Sequence, residues 1–371
     1  MKFTITRSSL FTTLQSLLNV VPPKSTLPIL SNVLLEALEG KIKFAGTDLD
    51  VSMIATVPAK VTKKGSITVP AKTFAEIIRE LPESEIEINV IDTRLEIKIE
   101  RGVYKISGIS PEDYPKLPTV NLAKEIKLSA QDLVKMVKKT SFAVSQDETR
   151  PALNGVLWQT SGDKMQMVTT DGHRLARFAL QNKKLKGLHG DIILPPKVLN
   201  ILSRLIGDEE KEIGVIFSDN TIIFNLGDII VTSRLIEGPY PNFEQVIPKD
   251  CDKKMIVNKE QLLSTVRRIA ILSNVLTHQI KFSLKKGTIE LSSANFDLGG
   301  EAKESFSCDF KGENIDIGYN ANYVLDILKQ IDGEEVVWEL ISPTSAGMVY
   351  STEKKEGEEH LCLIMPLRLA E

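Results

Sequence analysis

Residues 67–81, ITVPAKTFAEIIREL, return as IILPPKVLNILSRLI at 192–206 and as IGYNANYVLDILKQI at 317–331, each copy starting 125 residues after the last. A unit this long is a whole domain and not one turn of a solenoid, so a chain of 371 residues reads as one domain written three times. In each copy an apolar strand end meets Pro70, Pro196 or Asn320 and passes into a helix with apolar residues at one-turn intervals. These are Phe74, Ile77, Ile78 and Leu81, then Leu199, Leu202 and Ile206, then Val324, Ile327, Leu328 and Ile331. Arg79, Arg204 and Lys329 share the thirteenth place. At about 100° per residue they stand roughly 140° from Phe74, Leu199 and Val324, facing away from the core.

A second helix opens each copy, in FTITRSSLFTTLQSLLNVV from Phe3, IKLSAQDLVKMVKKTSFAV from Ile126 and MIVNKEQLLSTVRRIAILS from Met255. Thr6, Ser129 and Asn258 hold the fourth place, where a side-chain oxygen can cap the free amides of a first helical turn. Leu10, Leu133 and Leu262, with Leu14, Val137 and Val266 four residues on, mark the buried side. Lys135, Lys138 and Lys139 in copy two and Arg267 and Arg268 in copy three mark the far side, where copy one has Gln15 and Ser16. Between and after the helices come alternating apolar runs, broken by turns at Gly40, Gly162 and Gly287, that read as strands. The expected fold is α+β, three homologous domains each with two helices packed on antiparallel sheets. Polar, proline-marked stretches place the domains at 1–121, 122–250 and 251–371.

Charge says what the helices are for. The six predicted helices contain 11 Lys plus Arg against 5 Asp plus Glu, while the whole chain is at −3, so the remainder carries −9. Positive charge gathered on an acidic protein is the footprint of a polyanion site. An ordinary solvated helix face is the usual meaning of one basic run, but recurrence in homologous columns favours the polyanion. No aromatic residues interleave the basic ones, which argues against capture of single strands by stacking and for contact with a phosphate backbone. Asp171, His173 and Arg174 adjoin in TDGHR, yet the corresponding TDLDV and ANFDL lack the histidine, and no nucleophile, base and orienter recur around them. The four histidines show no ligand spacing and GxxxxGK[ST] is absent, so no catalytic residue, metal or cofactor is expected. Three scattered cysteines and the lack of any membrane-length apolar stretch lead us to expect a cytoplasmic protein with reduced thiols and no membrane partner.

Six further motifs, TLPILSN (26–32), GTDLD (46–50), TDGHRLA (170–176), YPNFEQVIPK (240–249), AILSN (270–274) and MPLRL (365–369), resemble the β sliding clamps of bacterial DNA polymerase III, in order and over essentially the full length. The resemblance implies a DNA-clamp fold in which two subunits close head to tail as a homodimer ring around duplex DNA, without sequence preference. It implies DNA-facing residues at Lys24, Arg79, Lys135, Lys138, Lys139, Arg150, Lys197, Arg204, Arg267, Arg268 and Lys329. It implies a hydrophobic pocket for short apolar peptides of the polymerase III catalytic subunit, the clamp loader, and other replication and repair polymerases. Its lining would be Leu153, Thr170, Gly172, His173, Arg174, Leu175, Pro241, Val246, Leu363, Ile364, Met365, Pro366, Leu367 and Arg368. Leu363 and Leu367 could equally be a last core strand, although Pro366 argues against a regular central one. The dimer contact would join Tyr104 and Ile106 to Ile271 and Leu272, which could also be core at a helix end. Pro151 and Ala152 stand where some clamps carry aromatics, and Gln245 where some carry a basic residue. The rival expectation is a monomeric three-domain scaffold that binds peptides and never encircles DNA.

Overall fold

The structure, a computed structural model, describes residues 1–118, 125–181, 189–208, 210–218, 220–295 and 299–369. The stretch expected as the first domain boundary thus falls mostly outside the described residues. The chain divides into two compact units, Met1–Gln131 with Lys197–Leu235, and Asp132–Pro196 with Ile236–Glu371. The middle repeat is therefore shared between the units instead of standing alone. The reason lies in the backbone: strands of the middle repeat hydrogen-bond directly to strands of its neighbours.

In the first unit, one sheet runs β5 (Lys60–Lys63), β1 (Lys2–Thr6), β7 (Glu85–Ile91), β8 (Arg94–Ile99), β9 (Gly102–Ser107). The other runs β10 (Ile126–Ser129), β15 (Glu212–Phe217), β16 (Thr221–Asn225), β17 (Ile229–Arg234), β4 (Val51–Pro58), β3 (Lys41–Thr47), β2 (Asn32–Leu38), β6 (Gly65–Pro70). The antiparallel pairing of β17 with β4, Val231 opposite Met53, joins the two repeats. In the second unit the long sheet runs β14 (His189–Leu194), β11 (Val156–Ser161), β12 (Lys164–Thr170), β13 (Arg174–Gln181), β26 (Glu358–Ile364), β25 (Gly347–Ser351), β24 (Glu335–Leu340), β18 (Lys253–Asn258), β22 (Asp309–Phe310). Here β13 pairs with β26, Leu175 opposite Leu363. A smaller sheet runs β21 (Gly300–Ser307), β20 (Thr288–Asn295), β19 (Gln279–Lys285), β23 (Ile315–Asn320).

The helices form where the periodicity places them: α1 (Arg7–Leu17), α2 (Ala71–Glu80), α3 (Ala130–Thr140), α4 (Pro196–Ile206), α5 (Lys259–Ala270) and α6 (Ala321–Gln330). Thr6 caps α1 through the amide of Ser9, and Asn258 caps α5 through that of Gln261. These contacts satisfy amides that have no partner inside the helix. Phe74, Leu199 and Val324 are fully buried, whereas Arg79, Arg204 and Lys329 are exposed. Helix α1 packs on α2, and α5 on α6. Beneath the last pair, Phe282, Tyr319 and Trp338 meet edge-on or tilted with centroids 5.2 to 5.5 Å apart, in an apolar cluster of the second unit.

Candidate functional site

The expected peptide pocket grows from the turn between β12 and β13. Asp171 Oδ1 accepts from the amides of His173 and Arg174, each at 2.9 Å, and Thr170 Oγ1 donates to the Arg174 carbonyl at 2.7 Å. Gly172 sits in this turn at φ +89°, and a Cβ there would lie 3.2 Å from Arg150 Nη1, so glycine fits both the backbone and the space. The end of the chain is tied to the turn, because the Met365 amide donates to the His173 carbonyl at 2.8 Å. Farther on, the Leu367 amide donates to the Gly318 carbonyl at 2.8 Å and Gln279 Nε2 to that of Arg368 at 2.9 Å.

On one face of the long sheet Leu157, Val168, Leu175, Ile193, Phe243 and Leu363 form a small buried cluster, with Tyr240, Ile247 and Met348 against it. This floor is bordered by exposed Val246 and Met365 and by solvent-facing Pro241. Leu153 is buried in the 3-10 turn Pro151–Asn154, Pro366 and Leu367 are half-buried, and Arg368 is exposed. Ile364 is a correction to the sequence reading. Successive residues of a strand face opposite sides, so Ile364 turns away from Leu363 into the cluster of Trp338 and Ile280, fully buried.

His173 and Arg174 open on a different hollow, a polar cavity of about 740 Å³ shared with Arg150, Asp171, Tyr323 and Asp326. Arg174 is held on every side, to Asp171 at 3.1 Å, Asp326 at 2.8 Å and the Phe142 carbonyl at 2.8 Å. Its guanidinium stacks 4.4 Å from the Tyr323 ring, and His173 lies stacked at 6.3 Å on the same ring. Sequence reasoning missed Tyr323 and Asp326. The signal was present in the repeat, since Tyr323 fills a column held by Thr73 and Val198 in the other copies.

Among the expected DNA contacts, Lys24, Lys138 and Arg267 are exposed and form no ion pair among the described residues. Arg204 is exposed and donates to Asn19 Oδ1 at 3.0 Å. Arg79 pairs with Glu80 at 2.8 Å, Arg150 with Asp147 at 2.8 Å, Arg268 with Glu304 at 2.7 Å, Lys329 with Asp326 at 3.3 Å, and Lys197 with Asp48. Exposed pairs such as these are worth roughly 0–1 kcal/mol and are readily exchanged for a phosphate. The hydrogen bond from Arg268 holds the Glu304 carboxyl below its ordinary range. Lys135 is half-buried against Glu358, 5.7 Å over the Phe178 ring. Lys139 corrects the sequence reading: it is buried, its ammonium donating to Asp332 at 2.6 Å and to the Gln330 carbonyl, so it faces the fold and not solvent. It belongs to an interior polar group with His360, whose pKa burial and the Lys139 charge lower to about 4, and Cys362, whose thiol burial pushes up to about 12.

The expected self-contact residues divide. Tyr104, on edge strand β9, is 41% exposed beside Val103, and Ile271 is 75% exposed near Val275 and Leu276. Ile106 is buried, another correction, where β9 pairs it with Leu95 of β8, although it shares its strand parity with exposed Tyr104. Leu272 is half-buried. Among the described residues no group of acids, histidines and cysteines could hold a metal ion, and no helix is long and apolar enough to cross a membrane.

Three sequence repeats, each supplying two helices and antiparallel strands, with basic helix faces and an apolar hollow against β26, define the architecture of a DNA clamp. Comparison with known proteins identifies the family. Models of the N-terminal, central and C-terminal domains of the DNA polymerase III beta subunit match residues 1–118, 127–242 and 244–368. The chain is 32% identical to the beta sliding clamp of Pseudomonas aeruginosa and 33% to that of Chlamydia muridarum, covering 100% of this chain and at least 99% of each relative. It superimposes on the solved P. aeruginosa clamp bound to griselimycin with a TM-score of 0.93 and on the Bacillus subtilis clamp, 27% identical, with 0.95, each over 100% of both chains. The chain belongs to the beta sliding clamp family, non-catalytic DNA-binding proteins of DNA replication.

Proposed function

We propose that the protein is a processivity clamp that encircles duplex DNA as a head-to-tail homodimer and tethers its clients by a short apolar peptide. Its three repeats, at 1–121, 122–250 and 251–371, would place the exposed columns at Arg79, Arg204 and Lys329 toward the DNA. Topological enclosure retains the DNA, and loose phosphate contacts let the ring slide. The observation that carries the tether is the Leu175–Leu363 floor with Val246 and Met365 exposed at its border, apolar surface left open beside a packed sheet. The polymerase III catalytic subunit, the clamp loader and other replication and repair polymerases are the proposed clients. Self-association is supported by two sheet edges, β9 with Val103 and Tyr104 exposed, and β21, whose Gly300 lies against Leu272. Such edges invite pairing with another chain. No ATP-binding loop is present in the sequence, so ring opening falls to the loader.

The test is retention on a nicked circular plasmid after loading with clamp loader and ATP, in high salt, before and after the DNA is linearised. A closed ring survives high salt on circles and runs off linear DNA. Equal loss from both would leave an electrostatic patch on a monomeric peptide-binding scaffold and refute the clamp mechanism.

A further inference from the structure

The turn at 170–174 has a copy in the first repeat at 47–51, matched bond for bond. Thr47 Oγ1 donates to the Val51 carbonyl at 3.0 Å, as Thr170 does to Arg174 at 2.7 Å. Asp48 Oδ1 accepts from the amides of Asp50 and Val51 at 3.1 and 2.7 Å, as Asp171 does from His173 and Arg174. The Leu49 amide donates to Thr47 Oγ1 at 3.0 Å, as that of Gly172 does to Thr170 at 3.1 Å. Leu49 even holds φ +83°, beside the +89° of Gly172. A leucine is strained there, and its side chain is 44% exposed, so core burial does not compensate the strain.

The surroundings are duplicated too. Strand β4 pairs with β17, Ser52 opposite Thr232, just as β13 pairs with β26, Leu175 opposite Leu363. Two residues on, Arg234 corresponds to Met365, and Tyr114–Pro115 repeats Tyr240–Pro241. A cavity of about 250 Å³ opens there within the first unit, room for a side chain or two and less than a drug-sized pocket.

Leu49, Pro115, Leu117 and Pro118 keep part of its wall apolar, but the chemistry of its strand positions is inverted. Where the junction of β13 with β26 has Leu175, Leu363 and Met365, the junction of β4 with β17 has Ser52, Thr232 and Arg234, and Lys116 adds a second cation. Lys116 and Arg234 are exposed, and neither forms an ion pair among the described residues, while Asp50 is the one carboxylate in the lining. Two unpaired cations over hydroxyls select a carboxylate.

We propose that this cavity is a second client site, taking an acidic peptide segment whose carboxylate sits between Arg234 and Lys116. The assignment rests on the apolar pocket at the β13–β26 junction being a peptide site. The test is fluorescence anisotropy on the full-length protein with two labelled probes, Glu-Leu-Asp-Glu-Leu and Gly-Leu-Val-Leu-Phe. R234E combined with K116E, both at exposed positions and checked by an unchanged melting curve, is expected to weaken the acidic probe at least tenfold and leave the apolar probe unchanged. M365D is expected to do the reverse. An apolar probe indifferent to M365D would sink the peptide-pocket reading itself. The acidic site is overturned by equal binding to the R234E/K116E variant, by equal binding of Gln-Leu-Asn-Gln-Leu, or by displacement with the apolar probe. Displacement by duplex DNA would also overturn it, making the cations a phosphate contact.

Discussion

Lys138 and Lys139 are neighbours on α3, yet alanine at each should fail in opposite assays. Lys139 is 5% exposed and its ammonium serves Asp332 at 2.6 Å and the Gln330 carbonyl. Removing one member of a buried ion pair costs about 3–5 kcal/mol because the other is left uncompensated. The Asp332 side chain is 42% exposed, so water recovers part of that loss, and roughly 2 kcal/mol is expected for K139A. With an m-value of about 3 kcal/mol/M in urea, the midpoint of unfolding should fall by on the order of 0.7 M. The slope of log K against log salt for duplex DNA should not change. Lys138 is exposed. K138A should therefore leave the urea midpoint within error, corresponding to about 0.5 kcal/mol or less, while the salt slope loses roughly 0.9. If K139A weakened DNA binding with an unshifted midpoint, the assignment of Lys139 to the interior would be wrong.

Other perturbations follow from the same contacts. His360 is held neutral, its pKa lowered from 6.5 to about 4. The unfolded chain binds the extra proton between these values, so the stability this histidine contributes is complete above about pH 6.5 and is lost as pH falls toward 4. At about 1.36 kcal/mol per unit the loss is roughly 3 kcal/mol, and urea midpoints across that window should flatten in H360Q. A Cβ at Gly318 would stand 2.7 Å from the Leu367 carbonyl oxygen. G318A should push the C-terminal segment off its seat, costing about 1–3 kcal/mol and lowering polymerase stimulation together with it; unchanged stimulation would show that this segment does not shape the pocket. Ile271→Ala with Leu272→Ala removes the 75% exposed side chain and its half-buried neighbour. The expected product is a monomer that is not retained on DNA, and a dimer in sedimentation would move the interface elsewhere.

Much of this molecule was written in its periodicities, and what escaped them was set by contacts between distant strands. Helix faces are local, so Phe74, Leu199 and Val324 could be assigned to the core and Arg79, Arg204 and Lys329 to solvent from spacing alone. Lys139 escaped because its burial depends on Asp332 and Gln330, nearly two hundred residues away. Ile364 and Ile106 escaped for a different reason. Each was carried into its site as part of a motif: Ile364 faces away from Leu363 because adjacent strand residues face opposite sides, and Ile106 is covered at its pairing with Leu95, a contact the motif does not show. Applying the period of two to LIMP would have put Ile364 on the face opposite Leu363, but it could not have found Ile106, which shares its parity with exposed Tyr104. That the middle repeat shares its sheets with both neighbours escaped because β4–β17 and β13–β26 pairing is invisible to composition. Those two seams are also what make the junctions comparable. One backbone plan, repeated, presents leucines at the second junction and hydroxyls with an arginine at the first, so divergence after duplication fell on the residues lining the hollow and spared the turn that shapes it.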